Sequence, residues 1–133
     1  MKKTPLLNCE LSYVIAQMGH FDTLAIGDAG LPIPRDTPRI DLAVTKGVPE
    51  LLPVLKAVLS ELNVQKATIA VEMQNSSPAL FDVLNELIRA EGAEIEMIPH
   101  EEFKERTSSS VAVVRTGEMQ SYANIILESG VVF

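Results

Sequence analysis

The sequence predicts an α/β protein, a single layered domain in which helices flank a largely parallel sheet. Short apolar runs typical of buried strands alternate along the chain with longer segments whose apolar residues recur every three or four positions. Alternating strands and helices are typical of parallel sheets joined by right-handed crossovers. A length of 133 residues fits one domain, residues 1–133, with enough chain to bury a core.

The first half of the chain predicts two helices and two strands. Asn8 is a favourable N-cap for a helix that ends at Gly19, a glycine expected in the left-handed conformation. Pro49 is expected in the first turn of the second helix, where proline is tolerated. A buried strand, a stiff proline-rich loop and a short second strand are predicted between these helices, over residues 23–28, 29–39 and 40–44.

The second half predicts two further helices and a series of strands. One helix begins at Ser77-Pro78 and ends at Gly92, and a short one covers residues 100–106. The strand candidates are residues 67–72, 95–97, 111–115, 125–127 and 131–133. Ligands of parallel sheets bind beyond the carboxyl ends of the strands. On this assignment the residues found there are Asp28, Glu72 and His100.

Composition and charge argue against several classes of function. The formal net charge of −7 leaves no broad basic surface, so a nucleic-acid partner is not expected. The single cysteine, Cys9, has no internal disulfide partner, so nothing requires an oxidising compartment. No signal peptide follows Lys2 and Lys3, and no apolar run approaches the roughly 20 residues of a membrane span. We therefore expect a cytoplasmic protein without a membrane partner.

The candidate chemistry centres on His20, one of only two histidines, and on Asp28 after the next strand. Histidine can both give and take a proton near neutral pH. A carboxylate within reach fixes its tautomer and stabilises its cation. Taken alone, a histidine here is more often a helix cap, and an aspartate is as often a turn residue. Together they predict half of an acid–base site in which Asp28 orients His20 or binds a ligand hydroxyl.

The remaining candidates are weaker when each is taken alone. Residues 100–104 look briefly like a zinc-binding helix, but Lys104 stands where that motif needs its second histidine. With two histidines and one cysteine in the chain, no metal site is expected. No glycine spacing predicts a phosphate-binding loop. Tyr122 and Asn124 place a hydroxyl and an amide close together, which suits a polyol, although the same residues suit the polar start of a strand.

Taken together, these segments resemble the D-ribose pyranase family of sugar mutarotases. The resemblance spans nearly the whole chain, with only generic helix and strand patterns over residues 50–95. The segments that carry it are residues 19–24, 28–34, 39–41, 45–49, 100–104, 115–118, 122–127 and 130–131.

The resemblance implies an isomerase that needs no cofactor and interconverts the β-pyranose and β-furanose forms of D-ribose. It implies His20 as the proton donor. The residues that would hold the sugar are Asp28, His100, Lys104, Tyr122 and Asn124. It also implies a homo-oligomer, a decamer of two pentameric rings, with sites at the boundaries between subunits.

Two alternatives stay open. Fucose mutarotases share the Gly-His start and the Tyr-x-Asn ending, but they differ in the loop after the aspartate, where residues 29–34 follow the ribose pattern. A non-catalytic sugar-binding or transport-accessory protein would use the same polar residues without needing His20 as a proton donor. The group that accepts the anomeric proton is also left open, with water as one option.

Overall fold

The computed structural model describes residues 1–133, and one six-stranded sheet lies at its centre. The strands are β1 Thr23–Gly27, β2 Arg39–Asp41, β3 Val64–Ala70, β4 Glu94–Ile98, β5 Ala112–Arg115 and β6 Ile125–Ser129. Their order across the sheet is β2-β5-β1-β6-β3-β4. The α/β class is confirmed.

Five strands run in one direction and β6 runs in the other. β1 and β2 each pair parallel with β5, and β3 pairs parallel with β4. β6 lies between β1 and β3 and is antiparallel to both, with Ile126 opposite Ala25 and Leu127 opposite Ala67. The sheet is thus largely parallel, as predicted. Because β6 is reversed, its first residues lie at the edge where its neighbours end.

Five helices surround the sheet: α1 Cys9–Gln17, α2 Leu51–Leu59, α3 Met73–Ser76, α4 Pro78–Ala90 and α5 His100–Arg106, followed by a 3₁₀ turn over Thr107–Ser109. The Asn8 side chain accepts a hydrogen bond from the Leu11 amide at 2.9 Å, which confirms the predicted N-cap. Pro78 begins α4, and Gly92 follows that helix with a φ of 75°. None of these helices has the length and apolar character to cross a bilayer.

Residues on the two faces of the sheet pack into two apolar clusters. Leu24 and Ile26 of β1 belong to a cluster of 25 buried residues that takes in side chains of α1, α2 and α4. Ala25, between them, belongs to a second cluster of six residues that contains Phe103 of α5. Successive strand residues face opposite sides, so β1 contributes to both clusters. Burial of Phe103 thereby holds α5, and His100 at its start, over the carboxyl edge of the sheet.

Three local predictions are wrong. Gly19 is not left-handed: the Asp22 carboxylate accepts a hydrogen bond from its amide, and Phe21 has the positive φ of 71°. Pro49 precedes α2, since its carbonyl accepts a hydrogen bond from Gly117 in a neighbouring loop. Residues 131–133 are not a strand, and they extend beyond the last sheet partner. The short helix α3 was not predicted.

A charged cluster ties α5 to the sheet. The Arg106 guanidinium donates to both carboxylate oxygens of Glu96, at 2.6 and 3.2 Å, and to Glu102 at 2.7 Å. The Thr68 hydroxyl donates a further hydrogen bond to Glu96 at 3.0 Å. Together these contacts, led by the Arg106 hydrogen bond, hold the pKa of Glu96 below its ordinary value.

A lowered pKa in the folded state makes the contribution of Glu96 to stability depend on pH. That contribution is present above the unfolded-state pKa of about 4.3 and is lost as the pH falls through the lower folded-state pKa. We expect Glu96→Gln to lower the free energy of unfolding at pH 7 by about 1 kcal/mol or less, because the pair is partly solvated. The difference from the parent protein shrinks below about pH 4.

Urea unfolding at several pH values measures this difference. Glu105→Gln is the matched control, because Glu105 lies on α5 beside Arg106, is exposed and forms no salt bridge. A deficit for Glu96→Gln that stayed constant from pH 7 to the acid limit would contradict this interpretation.

Candidate active site

An open polar pocket of about 380 Å³ lies at the carboxyl edge of the parallel strands. Its walls come from the loop after β1, the start of α5 and the segment that leads into β6. The twelve lining residues are Asp28, Ala29, Gly30, Leu31, Pro32, His100, Glu118, Met119, Gln120, Ser121, Tyr122 and Asn124. Four of the six predicted site residues are therefore brought together here, namely Asp28, His100, Tyr122 and Asn124.

Asp28 and Asn124 hold each other across the floor of the pocket. The side-chain oxygen of Asn124, Oδ1, accepts a hydrogen bond from the Asp28 backbone amide at 2.8 Å. The side-chain nitrogen of Asn124, Nδ2, donates a hydrogen bond to Asp28 Oδ2 at 3.1 Å. Asp28 Oδ1 accepts from the amide of Gly30 at 2.9 Å, which fixes the carboxylate against its own loop. Asn124 is fully buried, so its amide is a rigid support for Asp28.

Gly27 lies directly beneath this pair. A Cβ atom at Gly27 would lie 2.5 Å from Leu31 Cδ2 and 3.0 Å from Asn124 Oδ1. Both neighbours belong to the pocket, so the lack of a side chain at Gly27 allows β1 to approach the pocket floor closely.

Glu118 connects the segment that leads into β6, which forms one wall of the pocket, to the start of α2 through hydrogen bonds to backbone amides. Its Oε1 accepts from the amides of Met119 and Gln120, at 2.9 and 3.0 Å, and its Oε2 accepts from the amide of Leu51 at 3.3 Å. The residue is only 6% exposed, so these bonds form away from solvent. The sequence offered no signal for this role beyond the position of Glu118 in the segment 115–118.

His100 is held by its backbone and by an aromatic neighbour. Both carboxylate oxygens of Glu72 accept from the His100 amide, at 3.1 and 3.0 Å, which gives Glu72 a structural role. The imidazole packs edge-on against the Tyr122 ring, with centroids 4.9 Å apart. Tyr122 has a φ of 60°, a left-handed conformation that is unfavourable for a bulky residue and clusters at functional sites.

Lys104 does not line the pocket. It lies one helical turn after His100 on α5, where its ammonium forms an ion pair with Glu101 at 2.6 Å. The pairing lowers the pKa of Glu101, chiefly through the hydrogen bond from Lys104. In a single chain Lys104 thus lies outside the pocket lining, and its contact with a ligand stays a prediction.

His20 lies at the other end of β1 from Asp28. β1 has five residues, and a strand rises about 3.3 Å per residue, so the strand alone separates the two side chains by roughly 15 Å. His20 is exposed, stacks on Phe21 with ring centroids 3.7 Å apart, and places Nε2 2.9 Å from Oε1 of Gln65. The prediction that Asp28 orients His20 is therefore wrong within one chain.

The pocket chemistry suits a small, uncharged ligand rich in hydroxyl groups. Carboxylate, amide, hydroxyl and imidazole groups provide both donors and acceptors, and no lysine or arginine lines the walls to bind an anion. No group of three or more His, Cys, Asp or Glu side chains is arranged to hold a metal ion. The fold and the pocket together define an α/β protein with a site for a polyhydroxylated small molecule.

The chain belongs to the RbsD / FucU transport protein family, whose model matches residues 1–132. It is 54% identical over the full length of both chains to a protein of Psychromonas ingrahamii named D-ribose pyranase. The structure of Bacillus subtilis RbsD complexed with D-ribose matches all of both chains with a TM-score of 0.95 at 40% identity. The fucose mutarotase of Streptococcus pneumoniae in complex with L-fucose also matches both whole chains, with a TM-score of 0.84 at 26% identity.

The contact between Asp28 and Asn124 predicts the effect of an isosteric change. Asn124→Asp removes the Nδ2 donor and sets a second carboxylate against Asp28 in a buried position. We expect the free energy of unfolding at pH 7 to fall by about 1–3 kcal/mol, since a buried hydrogen bond is lost and a repulsion replaces it. Urea unfolding measures the change.

The reciprocal double variant, Asp28→Asn with Asn124→Asp, is the matched control. It restores one amide and one carboxylate to the same pair of positions, so we expect it to regain part of the lost stability. Equal destabilisation by the single and the double variant would show that the contact between these two side chains does not support the pocket.

Proposed function

We propose that this protein is a D-ribose pyranase, an isomerase that interconverts the β-pyranose and β-furanose forms of D-ribose without a cofactor. The observation that carries the proposal is the full-length identity of 54% to a protein named D-ribose pyranase. No lysine or arginine lines the pocket, so its lining suits an uncharged ligand such as a free sugar.

Ring interconversion requires only proton transfers. A proton reaches the ring oxygen of the pyranose, the bond from C1 to that oxygen breaks with its electron pair on the oxygen, and the anomeric hydroxyl becomes the carbonyl as its proton passes to water. Attack of a different hydroxyl on that carbonyl, with the reverse transfers, closes the furanose. General acid–base catalysis of such steps contributes about 10²–10⁴ in rate.

We assign the acid to His20 and the binding of the sugar to the pocket. Histidine titrates near neutral pH, so one imidazole can serve both opening and closing. Asp28, Asn124, His100 and Tyr122 would provide hydrogen bonds to the sugar hydroxyls. Lys104 would join them only after leaving its ion pair with Glu101.

His20 must then come from another copy of the chain. The pocket and His20 lie at opposite edges of the sheet, and each is accessible from outside. Phe21, which stacks on His20, is 64% exposed, so this apolar surface is free to contact a neighbour. We propose that the pocket of one subunit receives His20 of the next.

Such head-to-tail contacts generate a closed ring when the rotation between copies closes, and the decamer of two pentameric rings implied by the resemblance would be a closed assembly of this kind. The decamer predicts a solution mass ten times the 14.5 kDa of one chain. The free Cys9, with no disulfide partner in the chain, agrees with a cytoplasmic site of action.

The direct test is NMR magnetisation exchange on equilibrated D-ribose with catalytic amounts of the protein. We expect faster exchange between pyranose and furanose signals, and a loss of about 10²–10⁴-fold in the His20→Ala variant, the usual contribution of a general acid. The same exchange measurement on L-fucose distinguishes a ribose pyranase from the fucose mutarotase alternative. Binding of ribose without any exchange, unaffected by His20→Ala, would instead establish a non-catalytic sugar-binding protein.

Mixing two inactive variants tests whether the site spans two copies. His20→Ala keeps an intact pocket and Asp28→Ala keeps an intact His20, so a mixed oligomer contains some complete sites. We expect activity to return after the two variants are dissociated and reassembled together. Each variant reassembled alone is the control, and a mixture as inactive as the two controls would contradict a shared site.

A further inference from the structure

Gln65 is the extra residue of a β-bulge in β3. Val64 lies opposite Ser129 and Lys66 lies opposite Glu128, so two steps along β3 match one step along β6. Gln65 is left without a partner in the ladder. Bulges of this kind redirect a side chain and are frequent beside active sites.

The redirected amide lies between His20 and Glu128. Its Oε1 is 2.9 Å from Nε2 of His20, and its Nε2 donates to Oε1 of Glu128 at 2.8 Å. The second oxygen of Glu128 forms an ion pair with Lys66 at 3.0 Å. No sequence pattern selected Gln65, because the strand predicted in this region begins only at residue 67.

Gly130, just after β6, provides the space for this arrangement. A Cβ atom at Gly130 would lie 2.7 Å from Asn63 Oδ1, 3.1 Å from Gln65 Cβ and 3.4 Å from Gln65 Oε1. The Gly130 amide donates to the Asn63 carbonyl at 2.9 Å, which holds its backbone close to the bulge. A side chain at this position would therefore press on the amide that contacts His20.

The charge on Glu128 decides which way the Gln65 amide points. Burial raises the pKa of Glu128, but the hydrogen bonds from Gln65 and Lys66 outweigh it, and the net pKa lies below the ordinary value. An ionised carboxylate only accepts hydrogen bonds, so the NH₂ group of Gln65 must face it. The carbonyl oxygen then faces His20, and Nε2 of that ring must carry a proton to donate.

We propose that Gln65 is a positioning residue for His20, which keeps a proton on Nε2 and leaves Nδ1 as the nitrogen that exchanges protons with the sugar. The inference rests on the function proposed above and adds the atom that acts. In the imidazolium form, Nδ1–H donates its proton to the ring oxygen. The neutral ring that remains has Nε2–H bonded to Gln65 and a free lone pair on Nδ1, which accepts a proton when the ring closes.

Long-range ¹H–¹⁵N spectra of the imidazoles test the tautomer without reference to activity. The chain has only two histidines, so the His20→Ala spectrum identifies the His20 signals by difference. At about pH 8.5, where an ordinary histidine is neutral, we expect the Nε2–H tautomer for His20. An Nδ1–H ring in the parent protein would overturn the proposal.

Two substitutions at Gln65 separate positioning from packing. Gln65→Met keeps the length but removes the amide, and Gln65→Lys sets a donor beside Nε2, which favours the Nδ1–H tautomer. We expect both to slow ribose exchange by roughly 10- to 100-fold in kcat, as misplacement of a catalytic group does. The KM is expected to change less than twofold, because Gln65 does not line the pocket.

Gln74→Met is the matched control, since Gln74 is an exposed glutamine on α3 with no side-chain hydrogen bond. We expect it to match the parent protein in spectra and rates. Parent-like spectra and kcat for Gln65→Met would overturn the positioning role. If the parent protein has the Nε2–H ring but catalyses no ribose exchange, the proposed function is contradicted. Gln65 would then be only a structural partner of His20.

Discussion

The reversed strand β6, inserted between β1 and β3, is the constraint on which both halves of the candidate site depend. Its antiparallel pairing brings its first residues to the edge where β1 and β3 end, and there Asn124 reaches Asp28. The same pairing brings its last residues to the edge where β1 begins, and there Glu128 holds the amide of Gln65 beside His20. One strand thus supports the pocket at one end and the proposed acid at the other.

This arrangement places the proposed acid and the pocket of a single chain at opposite ends of β1. A strand is stiff and extended, so residues at its two ends stay apart whatever the loops do. The pocket is lined by groups that hydrogen-bond to one another, whereas His20 is exposed on a short turn closed by the Asp22 carboxylate. Under the proposed function, assembly of copies would bring the acid and the sugar together over a preorganised pocket without movement inside either chain.

Much of the fold and of the pocket is predictable from the sequence, because alternating strands and helices determine where parallel strands end. Asp28 and His100 were placed correctly for that reason. The separation of His20 from Asp28 follows from the strand that the sequence predicts over residues 23–28, but the predicted contact rested on closeness along the chain and left out the rise of that strand. Gln65 was missed because a bulge depends on register with a strand about sixty residues away, at Glu128. Gly130 and Glu118 likewise act through contacts between distant segments, which apolar periodicity does not report.

The most direct test of the central claim is a crystal structure of the assembled protein with D-ribose. The account predicts a sugar bound by Asp28 and Asn124 of one copy, with Nδ1 of His20 from a neighbouring copy within hydrogen-bond distance of the ring oxygen and Nε2 still bonded to Gln65. A sugar bound far from every His20 in the assembly would contradict it, as would a sugar whose ring oxygen meets a different acid.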